Sequence, residues 1–329
     1  HSYVFFFTNL GKVYVKKVYE IPVGARVAKG RAIVNFIGME ENERVRAITP
    51  VPGFDEGVFV TTLTKRGQIK KTAIADYQNY REKGIIGVKI ADDDQLLSAL
   101  VTDGTREFMI ATKSGKSIRF AEDQVRAMGR SAAGVKGMDL EEGDEVIGFI
   151  ATEPERSQVL AVCERGYGKR TSLEEFRAQK RGGKGIILID ASERNGPVVG
   201  VALVKDEDEV MLITNRGQTI RCPVGEIRET GRNAQGVKVM NVDEDERVVA
   251  VEPVGERGDD EDEAAEAAAT DDGNAPDGSA PDGNAPDDAD ASMATDADAG
   301  RSATGAEETD DDAGAGETDA RETDDADDD

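Results

Sequence analysis

Val159-Leu-Ala-Val-Cys-Glu-Arg-Gly166-Tyr-Gly-Lys169-Arg170, with Gln179-Lys180-Arg181-Gly182-Gly183-Lys184-Gly185 following shortly after, is the stretch whose reading decides the fold. An apolar run ends in a turn glycine, a short basic run follows, and a second glycine closes a basic loop. Glycine tolerates positive φ, which suits both Gly166 and Gly185 to chain reversals. The same order recurs five times: Val4-Phe5-Phe6-Phe7 before Gly11, Val58-Phe59-Val60 before Gly67, Phe108-Met109-Ile110 before Gly115, the quoted copy, and Val210-Met211-Leu212-Ile213 before Gly217. The turn glycines are spaced by 56, 48, 51 and 51 residues. The second glycines, Gly30, Gly84, Gly134, Gly185 and Gly236, follow them at 19, 17, 19, 19 and 19. A period near 50 residues is that of propellers and arrays.

Each unit ends in an acidic turn and a last apolar strand, so four strands per unit are expected. The strands are short, alternate at period 2 or run apolar for four or five residues, and are bounded by Gly, Asp and Asn. No segment carries a long stripe of period 3.6. The expected class is all-β, a propeller-like array of four-stranded blades over residues 1–254, with repeats near 1–51, 57–101, 106–151, 157–204 and 208–254. Repetition of this kind limits exposed sheet edges. A straight solenoid is the alternative.

Cations recur in register. After the turn glycine stand Lys16 and Lys17, Lys70 and Lys71, Arg119, Lys169 and Arg170, and Arg221. Beside the second glycine stand Lys29 and Arg31, Lys83 and Lys89, Arg130 and Lys136, Lys180, Arg181 and Lys184, and Arg232 and Lys238. Acids concentrate in the turn before the last strand, as in Asp92-Asp93-Asp94 and Asp243-Glu244-Asp245-Glu246. One Lys-Lys pair would read as a solvated edge strand, since lysine blunts edges. Five registered copies point to a continuous anion-binding band. In the heptapeptide 179–185, Gly182 and Gly183 can turn N–H groups toward an anion that Lys180, Arg181 and Lys184 neutralise, although alone it would read as a solvated basic turn.

Residues 255–329 hold 29 acidic residues against three arginines, a net of −26 that equals the charge of the whole chain, so residues 1–254 are neutral. That segment, rich in Asp, Ala, Gly and Pro, lacks the apolar side chains to offset its ordering entropy and is expected to be disordered. It reads as a tethered competitor for the basic band or as a solvating appendage in a salt-rich cytoplasm. The chain starts at His1, not Met, and is expected to be a piece of a longer polypeptide. It shows no signal peptide and no membrane-length apolar run, so a soluble, unsecreted protein is expected. Cys163 and Cys222 read as buried free thiols. With one histidine and no zinc spacing, no metal site or His-based catalytic site can be assembled.

These repeats resemble the C-terminal domain of DNA gyrase A, the β-pinwheel that wraps DNA. The resemblance rests on Gly11-Lys-Val-Tyr-Val-Lys-Lys-Val-Tyr, Val125-Arg-Ala-Met-Gly129, Gly166-Tyr-Gly-Lys-Arg-Thr171, Glu193-Arg-Asn-Gly196 and Gly231-Arg-Asn-Ala-Gln-Gly236, and covers nearly all of residues 1–254. The heptapeptide 179–185 is similar to the family's gyrase box, with Lys180 in place of an arginine, although it stands in the fourth visible repeat and not in the first. The resemblance implies sequence-nonspecific binding and bending of duplex DNA, and no catalytic residue in this chain: none of Tyr3, Tyr14, Tyr19, Tyr77, Tyr80 or Tyr167 takes the role of the cleavage tyrosine. For the holoenzyme, an ATP-hydrolysing type II DNA topoisomerase, it implies ATP and Mg²⁺, a DNA gyrase B partner in an A2B2 heterotetramer, and a cytoplasmic, chromosome-associated place of work. The related pinwheel of topoisomerase IV is the alternative. A Trp-Asp propeller acting as an interaction platform is disfavoured by the absence of tryptophan, and a propeller enzyme by acids spread evenly over the turns.

Overall fold

Each of the first four repeats begins with a strand whose central residues are buried on both faces, and this is why those opening runs show no strict alternation, whereas the opening strand of the fifth alternates between buried and half-buried residues. In the third repeat Phe108 and Ile110 pack toward Leu63 and Ile69 of the second, whereas Met109 and Ala111 pack toward Val159 and Ala161 of the fourth. The computed structural model describes residues 2–24 and 30–254; His1, Lys29 and the acidic segment 255–329 lie outside the described residues.

The first repeat supplies β1 (Tyr3–Thr8), β2 (Lys12–Lys17) and β3 (Val45–Val51). The second supplies β4 (Phe59–Thr64), β5 (Gln68–Ala73), β6 (Ile85–Ile86) and β7 (Leu96–Thr102), and the third β8 (Glu107–Thr112), β9 (Lys116–Ala121), β10 (Val135–Lys136) and β11 (Val146–Ala151). The fourth gives β12 (Gln158–Cys163), β13 (Tyr167–Ser172), β14 (Ile186–Ile187) and β15 (Val198–Val204), and the fifth β16 (Glu209–Thr214), β17 (Thr219–Pro223), β18 (Val237–Lys238) and β19 (Val248–Val254). The longest α-helix among the described residues is the single turn Val34–Ile37. No described helix is long and apolar enough to cross a membrane.

Within a repeat the three long strands form an antiparallel sheet with the opening strand in the middle. The fourth strand comes from the next repeat: β6 completes the sheet of β1, β2 and β3, β10 that of the second repeat, β14 that of the third and β18 that of the fourth. The sheets of the first four repeats thus have the four strands expected, the last of them lent by the following repeat. Among the described residues the fifth sheet has three strands, β17-β16-β19. Consecutive repeats are thus tied by backbone hydrogen bonds as well as by packed side chains.

The turn glycine serves this exchange. Gly166 lies at φ 78°, and a Cβ there would collide with the Met240 carbonyl of the next repeat. Its own carbonyl is equally crowded, because Val239 and Met240 both donate N–H to Gly166 O, at 2.8 and 3.1 Å. Only glycine meets both demands, the left-handed backbone and the close approach. A register shift recurs where the opening strand ends, at Phe7/Thr8, Leu63/Thr64, Val162/Cys163 and Ile213/Thr214. The threonine there caps the hairpin: Thr64 Oγ1 accepts Gln68 N at 3.1 Å and Thr214 Oγ1 accepts Gln218 N at 3.2 Å.

Four apolar clusters lie between successive sheets. The one between the first and second repeats is aromatic, with Phe5 and Tyr77 ring centroids 5.4 Å apart. Burying each such side chain stabilises by about 1.5–3 kcal/mol, so the array is held together chiefly at its junctions.

Candidate nucleic-acid interface

The second strand of a repeat lies where the next repeat's loop crosses it, and its cations are used there. Four residues after the turn glycine stand Lys71, Arg119 and Arg170. Lys71 Nζ donates to Glu122 O at 3.2 Å and pairs with Glu122 Oε1 at 3.7 Å, in a site where both side chains are buried. Arg119 Nη1 donates to Leu173 O and Phe176 O at 2.8 and 3.2 Å while its Nε donates to Glu107 Oε2 at 2.9 Å. Arg170 donates to the Ile227 and Gly225 carbonyls and pairs with Asp206. One position earlier, Lys70 Nζ donates to Gly87 O at 2.5 Å and Arg130 O at 2.6 Å, and Lys169 Nζ donates to Gly231 O and Arg232 O at 2.6 Å each. Lys70 is 1% exposed and Lys169 0%. Burial, the first cause at both sites, pushes each ammonium down to about 8.

The expectation of an exposed band is therefore corrected at Lys70, Lys71, Lys169 and Arg170, which are buried, and at Arg119, whose guanidinium is used up by Glu107 and two carbonyls. A strand buried on both faces offers a long cation one outlet, the polar backbone of the neighbouring repeat. Lys16 and Lys17 are not in this register. They follow Gly11 by five and six residues, their ammonium groups lie 5.4 Å from the Phe36 ring and 5.5 Å from the Tyr19 ring, and Tyr14 and Val15 occupy the corresponding positions. Arg221 is exposed and paired with Glu209.

The loop 179–185 lies across the third repeat. Gln179 N donates to Arg119 O at 2.7 Å, Gly182 N to Gly137 O at 2.7 Å, and Asp139 N to Gly183 O at 2.9 Å. Gly182 and Gly185 lie at φ 81° and 76°, and a Cβ on Gly185 would strike Ser117 O, next to which β14 pairs with β9. Arg181 points back to the preceding repeat: its guanidinium donates to Lys136 O and, through Nε, to Gln124 O at 3.1 Å. Arg130 and Arg232 do the same, donating to Ile86 O at 3.0 Å and Ile187 O at 3.1 Å. These three arginines share one structural task, tying each loop to the short exchanged strand of the repeat before it. Lys180 and Lys184 remain exposed on the box loop.

Sequence reading passed over a second register. Arg126, Arg177 and Arg228 stand 51 residues apart, each directly after the buried residue that ends a 3₁₀ turn: Val125, Phe176 and Ile227. All three are exposed, and none has a side-chain hydrogen bond or ion pair among the described residues. Their neighbours sit against the preceding repeat, as the bridges Lys71–Ala127 and Arg119–Ala178 record, so the arginines lie on the same edge as the loops they lead into. The signal was available as an arginine after an apolar residue at fixed period. Lys136 and Lys238 are exposed on the exchanged strands; Lys136 pairs with Asp139 at 2.8 Å, and Lys238 Nζ lies 5.6 Å from the Tyr167 ring.

Much of the acid in the turns is structural. Asp94 Oδ1 accepts Arg66 N and Gln95 N at 3.0 and 2.8 Å, and Glu43 accepts Thr8 Oγ1 at 3.1 Å and the Tyr14 hydroxyl at 2.5 Å. No three His, Cys, Asp or Glu side chains among the described residues cluster to hold a metal ion. Cys163 is buried at the position threonine occupies in other repeats, and burial pushes its thiol up to about 12; Cys222 is half-buried.

The family described as DNA gyrase C-terminal domain, beta-propeller, matches residues 2–52, 59–103, 106–153, 158–205 and 208–255. The DNA gyrase A protein of Salmonella typhimurium is 43% identical over 262 residues, covering 80% of this chain and 30% of that protein. The DNA gyrase A protein of Haloquadratum walsbyi is 40% identical over 269 residues, covering 80% of this chain and 31% of the relative. The chain thus spans about a third of the length of these curated relatives. Among solved structures, a DNA gyrase A C-terminal domain aligns with TM-score 0.67 at 28% identity, covering 77% of this chain and 82% of that one. The C-terminal domain of a DNA topoisomerase IV aligns with TM-score 0.74, also at 28% identity, covering 82% and 84%. With five matched segments falling on five repeats that exchange their short strands in sequence, the chain belongs to the DNA gyrase C-terminal domain family.

Proposed function

We propose that residues 2–254 bind duplex DNA through its phosphates and bend it along the edge that carries Arg126, Arg177, Arg228, Lys180 and Lys184. The observation that carries this reading is the row of three exposed, unpaired arginines at a fixed period of 51 residues, with the box-loop lysines interleaved. A duplex presents phosphates at regular intervals, and a row of cations on rigid repeats neutralises them without reading base edges. No described helix is longer than four residues, so none among these residues can act as a recognition helix in the major groove.

Bending a site of about 20–30 bp by 40–90° costs on the order of 1–6 kcal/mol. Non-specific binding at roughly 10⁻⁴ to 10⁻⁶ M supplies about 5.5–8 kcal/mol. One loop cannot hold such a bend, so several repeats act together and the loop 179–185 fixes one point of the path. In the full-length protein this bending presents a chosen DNA segment to a strand-passage gate. Negative supercoiling then uses ATP and Mg²⁺ held by other parts of an A2B2 assembly with DNA gyrase B, on the chromosome in the cytoplasm.

Topoisomerase IV activity is the second reading, favoured by the 0.74 alignment with that enzyme's C-terminal domain. The box-like loop favours gyrase. The test is a titration of the chain with linear duplex DNA from about 50 to 300 mM salt, together with a supercoiling assay of the full-length protein and its ATPase partner on relaxed plasmid. Salt-dependent, sequence-indifferent binding and the appearance of negative supercoils are expected. Affinity independent of salt would sink the phosphate reading, and relaxation or decatenation without supercoiling would assign the chain to the topoisomerase IV type.

A further inference from the structure

The loop 179–185 is gripped by one side chain that belongs to the preceding repeat. Gln124, the last residue of the 3₁₀ turn Glu122–Gln124, accepts Arg181 N on its Oε1 at 2.8 Å and donates from its Nε2 to Gln179 O at 3.2 Å. Its own main-chain carbonyl accepts Arg181 Nε at 3.1 Å. The two residues held are the immediate neighbours of Lys180, so the backbone that aims this exposed lysine is fixed on both sides by a single amide. The next junction has half of this arrangement: Glu175, 51 residues on, accepts Arg232 N on Oε2 at 2.8 Å, and a carboxylate has no donor with which to hold the residue before Gly231.

A second contrast makes the grip matter. At the junctions on either side, a buried lysine props the corresponding loop from below: Lys70 Nζ reaches Arg130 O, and Lys169 Nζ reaches Gly231 O and Arg232 O. Beneath the box loop the corresponding residue is Ile118, which has no donor to offer the Lys180 and Arg181 carbonyls. The box loop carries two successive glycines, Gly182 and Gly183, and glycine has the most backbone freedom to lose. A loop with that composition and no prop beneath it keeps its shape through the bonds made from the side.

We propose that Gln124 is the positioning residue of the box loop: it touches no phosphate itself, and it holds Lys180 at the place where the DNA path turns. This rests on the reading of 179–185 as a point of the DNA path. Its chemistry is that of an amide that both accepts and donates, and so satisfies an N–H and a carbonyl two residues apart.

The test uses the 329-residue chain and three readouts. Gln124→Ala is expected to speed exchange of the Arg181 amide by about tenfold or more while the Arg232 amide, held by Glu175, serves as an unchanged reference. The linking-number change trapped when a nicked circular duplex is sealed in the presence of the chain falls by about half or more, and the salt slope of binding to a linear duplex of about 20–30 bp stays within about 0.5, since no phosphate-neutralising cation is lost. Gln124→Glu, which copies the Glu175 arrangement, restores Arg181 protection and part of the wrap. An Arg181 amide that exchanges no faster in Gln124→Ala, or a loosened loop with full wrapping, overturns the proposal. Lys180→Ala combined with Lys184→Ala separates the two readings: a loss of wrapping there with none in Gln124→Ala refutes only the positioning role, and full wrapping there refutes the box reading together with it.

Discussion

Replacing Lys169 by alanine separates a lysine that binds DNA from one that joins two repeats. Its ammonium donates to Gly231 O and Arg232 O at 2.6 Å each, and the residue is 0% exposed. Two hydrogen bonds from a charged donor contribute about 1.5–3 kcal/mol each, and three buried methylenes lost on truncation about 0.8 kcal/mol each. Against this, the mutant is relieved of holding a charge in a dry site, which a shift from 10.5 to about 8 values at about 3.4 kcal/mol. The net cost is about 2–5 kcal/mol, concentrated at the junction between the fourth and fifth repeats. In a linear array such a loss is felt next to the broken junction. Amide exchange in β16 and β19 should therefore rise by about 30- to 4,000-fold, a factor of ten for every 1.4 kcal/mol, while β1 and β4 exchange as before. The pH dependence has a definite sign. The folded value lies below the ordinary one, so between about pH 8 and 10.5 the unfolded chain binds more protons and the wild-type protein gains stability as pH rises. The gap between wild type and Lys169→Ala should widen by about 2 kcal/mol from pH 7 to pH 9.5, with the neutral amine still able to donate to both carbonyls. An alanine variant with unchanged exchange in the fifth repeat and a salt slope of DNA binding reduced by about 0.9 would refute the junction role and return Lys169 to the surface band.

Arg126→Ala, Arg177→Ala and Arg228→Ala together should reduce the magnitude of the salt slope by about 2.7 while each alters stability by no more than about 0.5 kcal/mol, read by urea unfolding and duplex titration. Lys71→Ala leaves the Glu122 carboxylate buried without its cation and should cost about 3–5 kcal/mol, again without a phosphate's share of the slope. Gly185→Ala places a Cβ against Ser117 O at φ 76° and should cost on the order of 1–3 kcal/mol, seen as faster exchange at Ile186 and Ser117, the pair that β14 forms with β9. An alkylating thiol reagent at about pH 8 should label Cys222 well before Cys163, whose thiol burial pushes up to about 12; labelling of Cys163 at the same rate would contradict its burial.

The repeats were legible because two signals coincide. Runs such as Phe108-Met109-Ile110 are apolar on both faces, and the turn glycines fall at nearly constant spacing. Strand exchange was not legible, because β6, β10, β14 and β18 have two residues each and no pattern distinguishes pairing within a unit from pairing with the one before. The partner is chosen by tertiary packing, through the carbonyls of glycines such as Gly11 and Gly166. The cations misled for a related reason. Lys70-Lys71 and Lys169-Arg170 read as surface residues because lysine and arginine are rarely buried. Yet they lie in strands flanked on both sides by further sheets, so there is no outer face for them to occupy. Arg126, Arg177 and Arg228 were passed over because a lone arginine after an apolar residue carries no local signal, and only their common period sets them apart.

The two ways of counting cations give different salt dependences, and this makes the distinction measurable. Counting every cation that the sequence places after a turn glycine or beside a second one gives nineteen, from Lys16 to Lys238. At about 0.9 per phosphate that set implies a slope near −17. The structure gives ten of them other work: Lys70, Lys71, Lys169 and Arg170 are buried, Arg119, Arg221 and Lys136 are paired with carboxylates, and Arg130, Arg181 and Arg232 hold carbonyls of the preceding repeat. The edge set keeps Lys180 and Lys184 and adds Arg126, Arg177 and Arg228, all exposed and without an ion pair among the described residues. Lys83, exposed and placed before Gly84 as Lys184 is before Gly185, makes a sixth. Five to six phosphate contacts imply a slope of about −4.5 to −5.4, an affinity loss of about 500- to 1,800-fold between 50 and 200 mM salt. A measured slope in that range fits cations divided between junctions and edge, whereas one beyond about −11, more than the cations without other work can supply at about 0.9 each, would require the junction cations to leave their carbonyls on binding, at a cost in stability that unfolding of the DNA-bound chain would reveal.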